Sequence, residues 1–303
     1  MYWLLIVIFA HFFYAGVFII DRYLLKRGFP NPLSYAFYVG ILSIFVLVLA
    51  PFGFSISSIS QIIIALAAGI VWLLATLIFY TALYKGESSR VVPTVGGFIP
   101  FFTLVLSFLF LGERLTVNQL VAFCFLVSGG VFLSLLVTKT KAFSGGKGIH
   151  LTKTFVLALG AALVFAFYFV MTKFIFSRQG FINGLIWIRL GAVLGALFLL
   201  IPSSFRKKIF KKAETIKKKT FGFFFLGRGL GILASFLIYL AIYLGSVTLV
   251  NALQGVQYLF LLLLAFFLFR KIPSLKEQFE KKALIQKIIA IILICLGLVI
   301  LVV

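Results

Sequence analysis

Acidic residues are nearly missing from this chain: Asp and Glu number six in 303 positions, and Asp21, Glu87 and Glu113 stand at the ends of apolar runs rather than inside them. With no carboxylate deep in a run, there is no obvious site at which a proton could be exchanged for a cationic solute. Cysteine is equally scarce. Cys124 and Cys295 both fall inside apolar runs, so no disulfide framework is indicated and the redox compartment stays open. The two histidines, His11 and His150, lie in different surroundings without an acidic partner motif. No metal site and no cofactor is therefore expected. A membrane-embedded enzyme acting on lipid-linked substrates, or a structural protein, is the competing class, and the enzyme lacks a catalytic cluster. Charge as a whole is thin, at 11% of residues, against about 25% in soluble domains.

What fills the chain instead is apolar: 63% of residues are hydrophobic, more than a water-soluble core can hide. Runs bounded by charge, Pro or Gly predict spans near 2–20, 33–51, 61–84, 89–111, 117–137, 154–176, 183–201, 221–244, 246–269 and 284–303. Each approaches the roughly 20 residues that cross a bilayer as a helix. The runs are continuous and lack the period-two alternation of barrel strands, and a helix satisfies its own backbone within one segment. The expected fold class is all-α and integral to the membrane, with ten transmembrane helices. The first run, MYWLLIVIFAHFFYAGVFII, lacks a basic leader region and a small-residue cleavage site and reads as a retained span.

The formal charge of +22 raises the question of nucleic acid, and the positions of the charges argue against it. Connections after the odd-numbered spans carry 23 Lys and Arg, whereas the other side has three, Lys173, Arg178 and Arg114. That asymmetry marks the odd connections as cytoplasmic and puts both termini outside. The longest connection, Phe205 to Thr220, is expected to rest on anionic membrane lipids, either as a topogenic anchor or as a lipid switch.

The chain also repeats. Gly28, Phe29, Asn31 and Leu33 recur as Gly180, Phe181, Asn183 and Leu185, an offset of 152; Tyr80, Ala82, Tyr84 and Gly86 recur as Tyr239, Ala241, Tyr243 and Gly245, an offset of 159. Five spans per half force the second half to insert upside down. Inverted repeats of this kind build secondary transporters with a solute site at midplane. The expected units are residues 1–143 and 144–303, each a five-helix repeat.

The segment PFFTLVLSFLFLGERLTVNQLVAFCFLVSGG, Pro100 to Gly130, resembles the EamA type of the drug/metabolite transporter superfamily: a helix Pro, an apolar stretch ending in Leu-Gly-Glu-Arg-Leu-Thr, then Gln119 and Gly129-Gly130. Arg189 in LIWIRLGAV resembles that family's second-helix Arg. The second half departs, with Arg270-Lys271-Ile272 and Leu259 at the places of Leu111-Gly112-Glu113 and Pro100. The resemblance implies two five-helix repeats in a cell membrane and carriage of a small-molecule solute: an amino acid, or a phosphorylated or nucleotide-sugar-like compound. Many relatives are described with cytoplasmic termini, opposite to the charge-based orientation.

Among individual residues, Arg189 and Arg228 stand out, because a cation inside an apolar run costs several kcal/mol unless it meets a cavity, a partner or the interface. With no buried carboxylate, they favour an anionic or zwitterionic solute; snorkelling or bonding to carbonyls is the alternative. Other polar or aromatic residues near midplane are His11, Trp72, Tyr168, Asn251, Gln254, Gln257 and Tyr258. Asn251, Gln254 and Tyr258 share one helical face, as site lining or as interhelical glue. Pro93 and Pro100 with Gly96-Gly97 predict a kinked, locally opened span four that either gates or merely fits its neighbours. Gly112-Glu113-Arg114 is expected to pin helix four to helix five.

Overall fold

The computed structural model describes residues 2–27, 31–85, 88–136, 148–210, 218–268 and 281–302. Among these residues the secondary structure is helical throughout, with no strand. The first four apolar runs form α1 (Tyr2–Arg27), α2 (Pro32–Leu42) with a 3-10 continuation (Ser43–Phe52), α3 (Ile59–Lys85) and α4 (Ser88–Leu111). After α5 (Val117–Leu136) come α6 (Gly148–Gln179), α7 (Phe181–Phe198), the short α8 (Ser203–Ile209) and α9 (Lys218–Leu244). The ninth run is divided into α10 (Val247–Ala252) and α11 (Gln254–Leu268), and α12 (Lys281–Val302) ends the chain. Seven helical segments are long and apolar enough to cross a membrane: in α1, α2 with its 3-10 tail, α3, α4, α6, α7 and α9. Shorter apolar stretches lie in α5, α10–α11 and α12.

Two runs are less regular than expected. In the second, the Ser43 hydroxyl bonds back to the Val39 carbonyl at 3.2 Å where the helix tightens, a competing bond that bends helices. In the ninth, the turn at Leu253 separates Asn251 from Gln254. It precedes Gly255, where a Cβ would stand 2.9 Å from the Gly130 Cα, so that α5 and α11 meet backbone to backbone.

At the seam between α3 and α7 the two backbones approach closely. A Cβ on Gly69 would overlap the Ile188 carbonyl oxygen and lie 2.5 Å from the Ala192 nitrogen. One on Gly191 would overlap the Leu66 carbonyl oxygen and lie 2.6 Å from the Leu66 Cα. Small residues permit this approach, which gives helices in lipid their packing energy. Elsewhere α1 lies along α9, α3 and α4 along α6, and α5 along α12.

Two polar latches hold the ends of the α2–α7 pair. Asn31 caps α2 by accepting from the Ser34 amide at 2.8 Å, and its Nδ2 donates to the Lys208 carbonyl of α8 at 3.1 Å. The Ser34 hydroxyl adds a bond to the Ile209 carbonyl at 3.2 Å. At the other end, Asn183 in the first turn of α7 accepts from the Ser55 amide at 3.0 Å and donates to the Ser57 hydroxyl at 2.8 Å. Each Asn thus grips the segment that follows the other's helix. The basic residues Lys207 and Lys208 mark the Asn31 end. The Lys-rich stretch at 211–217 and the connections at 137–147 and 269–280 lie outside the described residues.

Candidate solute-binding site

Arg189 sits halfway along α7, and the helices around it offer aromatic rings and hydroxyls. Its guanidinium donates to the Tyr239 hydroxyl at 2.9 Å, and its carbon lies 4.6 Å from the Trp72 ring centre and 5.0 Å from that of Tyr239. Tyr168, fully buried on α6, stands edge-on to Tyr239 at 6.3 Å, and its hydroxyl has no hydrogen-bond partner among the described residues. Three helices, α3, α7 and α9, therefore converge on one cation, with α6 behind them. The contacts are π faces and a neutral hydroxyl, not a carboxylate. Cation–π contacts contribute about 0.5–2 kcal/mol each, which offsets part of the cost of holding the charge there and leaves it unneutralised.

A stripe along α9 leads away from this centre. Tyr239, Ser235 and Arg228 are four and seven residues apart and so lie on one helical face. The Ser235 hydroxyl pairs with that of Tyr14 from α1 at 2.9 Å, which places Tyr14 between the arginines, within the field of both. Arg228 lies over the Tyr35 ring of α2 at 5.4 Å, and Tyr35 packs edge-on to Tyr80 of α3 at 4.5 Å. Both arginines thus belong to one aromatic-lined line, running from the middle of α7 toward the Asn31 end.

The other expected residues are placed differently. His11 is buried beside Gln257 and the Val250 backbone, without a hydrogen bond of ordinary geometry to either ring nitrogen. Asn251 donates to the Val247 carbonyl of its own helix at 2.9 Å. Gln254 and Tyr258 face α4: a Cβ on Gly96 would overlap the Tyr258 hydroxyl and lie 3.3 Å from Gln254 Nε2. The turn at Leu253 removes the single continuous face on which Asn251, Gln254 and Tyr258 were placed. Trp72 and Tyr168 join Arg189; the span-nine polar residues form a second cluster between α1, α4 and α11.

α4 runs unbroken through Pro100 and the Gly pair. Gly96 and Gly97 mark close approach, to Tyr258 and to Val131, and the Pro93 side chain lies outside the described residues. Glu113 also differs from expectation. Its Oε2 accepts from the Thr248 hydroxyl of α10 at 3.3 Å, and Thr248 pairs with Ser107 at 2.7 Å, so it ties α4 to α10 rather than to α5. Nearby, Lys173 Nζ donates to the carbonyls of Ile242, Gly245 and Tyr243 at 2.8, 2.7 and 3.2 Å. It closes the C-terminus of α9, where a cation complements the helix dipole.

Sequence reasoning missed Tyr14, Tyr35, Ser235 and Tyr239 as companions of the arginines. Tyr239 carried a signal, as a repeat landmark four residues beyond Ser235 and eleven beyond Arg228. Tyr14 and Tyr35 carried none, since their approach depends on which helices neighbour each other.

Comparison with known proteins agrees with this architecture. A crystal structure of a protein overlays 98% of this chain and 94% of its own at a TM-score of 0.68 and 17% identity, a likeness of fold alone. An uncharacterized protein of Methanocaldococcus jannaschii is 37% identical over 71 residues, which is 23% of this chain. The chain spans about half of that relative's length, 51%. The model of the EamA-like transporter family matches residues 1–135. The first half of this integral membrane protein, residues 1–135, thus belongs to the EamA-like transporter family.

Proposed function

We propose that the protein is a secondary transporter that moves a small anionic or zwitterionic metabolite across the cell membrane by alternating access, built from ten spans in two inverted five-helix repeats. The observation that carries the solute class is Arg189: a guanidinium at the middle of its helix, held by Trp72 and Tyr239 and met by no carboxylate among the described residues. A carboxylate or phosphate on the solute supplies the missing charge through a planar fork. Tyr14, Tyr168 and Ser235 add hydroxyls, and Trp72 and Tyr239 add flat faces for an apolar or aromatic portion.

Support for the repeat comes from the latches. Asn31 and Asn183 are related by the 152-residue offset, and so are Ser57, which accepts from Asn183, and Ile209, whose carbonyl accepts from the Ser34 hydroxyl beside Asn31. Reciprocal contacts at one fixed offset are what a two-fold axis in the membrane plane produces. The distribution of basic residues favours a cytoplasmic Asn31 end, with both termini outside.

The test is flux and binding in proteoliposomes with the Arg189→Ala and Arg189→Lys variants. A charge-assisted bidentate contact contributes about 1.5–3 kcal/mol, so solute affinity is expected to fall roughly tenfold to a hundredfold in Ala, with partial loss in Lys and folded yield retained. Normal flux in a well-folded Ala variant would make Arg189 a packing residue between Trp72 and Tyr239 and remove the anionic assignment.

A further inference from the structure

The interruption between α10 and α11 stands beside a buried histidine. His11 is the central residue of the apolar segment Tyr2–Ile20 and is 5% exposed, yet neither ring nitrogen has a hydrogen-bond partner among the described residues. Burying a donor and an acceptor without partners is unfavourable, and a leucine of similar size would fill the place without that penalty. The groups beside the ring are the Gln257 side chain and the Val250 backbone. α10 ends at Ala252, and the last carbonyls of a helix receive no amide from their own ladder. The Leu253 amide turns back to Leu249 and Asn251, and Val250 is the residue whose backbone meets the ring.

A neutral imidazole donates one hydrogen bond and accepts one, whereas an imidazolium donates two. A helix-end carbonyl and a side-chain amide oxygen are two acceptors next to one ring, so the place suits the protonated form. Discontinuous helices with freed carbonyls hold coupling ions in membrane carriers. Ionisable neighbours are few. Trp3 meets Gly245 and Val17 meets Gly231, so α1 and α9 run antiparallel and His11 lies level with the turn of α9 that holds Tyr239. α11 carries Tyr258, and α10 has no titratable residue. Arg228 is farther along α9, next to the Gly227 that meets Ile20; the Asp21 and Arg90 side chains lie outside the described residues. On α1 itself the Tyr14 ring is 6.5 Å from His11. Tyr14 joins the two centres, because its hydroxyl pairs with Ser235 and it stands in the field of Arg189.

We propose that His11 is the proton-binding site of a symporter that carries one proton with each anionic solute. The imidazole takes a proton from water on one side of the membrane and returns it to water on the other, so a proton and a monoanion cross together with no net charge. The Arg189 guanidinium opposes a second positive charge on His11. An acid group bound at Arg189 cancels that opposition, and by reciprocity a proton on His11 raises the affinity for the anion by the same factor. This rests on the solute class assigned through Arg189.

The experiment needs no solute. His11 and His150 are the two histidines of the chain, so the full chain labelled with ring-nitrogen-15 histidine and carrying His150→Gln gives one imidazole signal. Solid-state nuclear magnetic resonance in lipid bilayers follows that signal from about pH 4 to 9. The ring is expected to convert reversibly from neutral to cationic with one midpoint. Arg189→Gln and Arg189→Met, two neutral replacements that stand in for a guanidinium met by an anion, should raise the midpoint by about one pH unit, a tenfold gain in proton affinity. Either variant suffices if the other fails to fold. Arg206→Gln, at an exposed position of α8, should leave the midpoint in place. A ring that stays neutral throughout in the native protein and in both variants overturns the proposal, as does one that is cationic throughout. A shift in Arg206→Gln as large as in Arg189→Gln also overturns it, since net charge and not the solute site would then be acting. Equal midpoints in the native protein and the Arg189 variants, with flux lost in Arg189→Ala, would discard the coupling and keep the solute class. Raised midpoints with normal flux in Arg189→Ala would discard the solute class, and the symport with it.

Discussion

Gly69→Ala is the sharpest test of how this bundle is held. A Cβ at that position overlaps the Ile188 carbonyl oxygen and stands 2.5 Å from the Ala192 nitrogen, whereas ordinary contact begins at 3.4 Å. α3 and α7 must therefore separate by about 1 Å, and the obstacle is helix backbone, which has no rotamer to change. A gap of 0.5–1 Å forfeits a quarter to a half of each dispersion contact along the seam. Overpacking of this kind costs about 1–3 kcal/mol, and the upper end applies because backbone must move on both sides. Fluorescence-detected size exclusion after graded heating in mild detergent measures the result: the midpoint should fall by roughly 5 °C or more. Gly160→Ala is the internal control, since nothing lies within 4 Å of a Cβ there, and its midpoint should equal or slightly exceed that of the native protein. Equal midpoints for Gly69→Ala and the native protein would mean that α3 and α7 do not touch as described.

Glu113→Gln removes the charge that accepts from Thr248 and faces Lys173, so folded yield should fall by the equivalent of about 1–2 kcal/mol with solute affinity unchanged; normal abundance with abolished binding would place Glu113 in the site. Cysteine at Ser203, where α8 begins at the Asn31 end, and at Ser144 should react with an impermeant maleimide only after cells are opened. Labelling from outside in intact cells would reverse the orientation.

Much of the fold could be read from the chain because a bilayer imposes a length on every crossing. The apolar runs that became α3, α4 and α7 were bounded within three residues, since charge, Pro and Gly cannot lie deep in lipid without consequence, whereas α1 and α6 run seven and six residues past an expected end. Ser43 and Leu253 mark where that reasoning stopped. A serine hydroxyl bonding back along its helix, and a turn beside the close approach of Gly255 to Gly130, have no signature in hydropathy. The site divides the same way. Arg189 was visible because a lone cation in an apolar run is costly, and Trp72 and Tyr168 because polar aromatics at midplane are uncommon. Their grouping around Arg189, and the separation of His11, Gln254 and Tyr258 into another cluster, depend on helix neighbours that are far apart in sequence. Glu113 was assigned to the α4–α5 junction because those helices are adjacent in sequence, yet its hydroxyl partner belongs to α10, which follows 134 residues after it.

The reciprocal grip of Asn31 and Asn183 bears on how the protein is made. Asn31 emerges from the ribosome early, but the Lys208 carbonyl it holds, and the Ile209 carbonyl that Ser34 holds beside it, appear only after the second half has begun to insert. Ser55 and Ser57 likewise wait for Asn183. Each half leaves the translocon with a ragged end that only the other can finish, so assembly is a handshake between two late-meeting fragments rather than the sequential completion of two independent units.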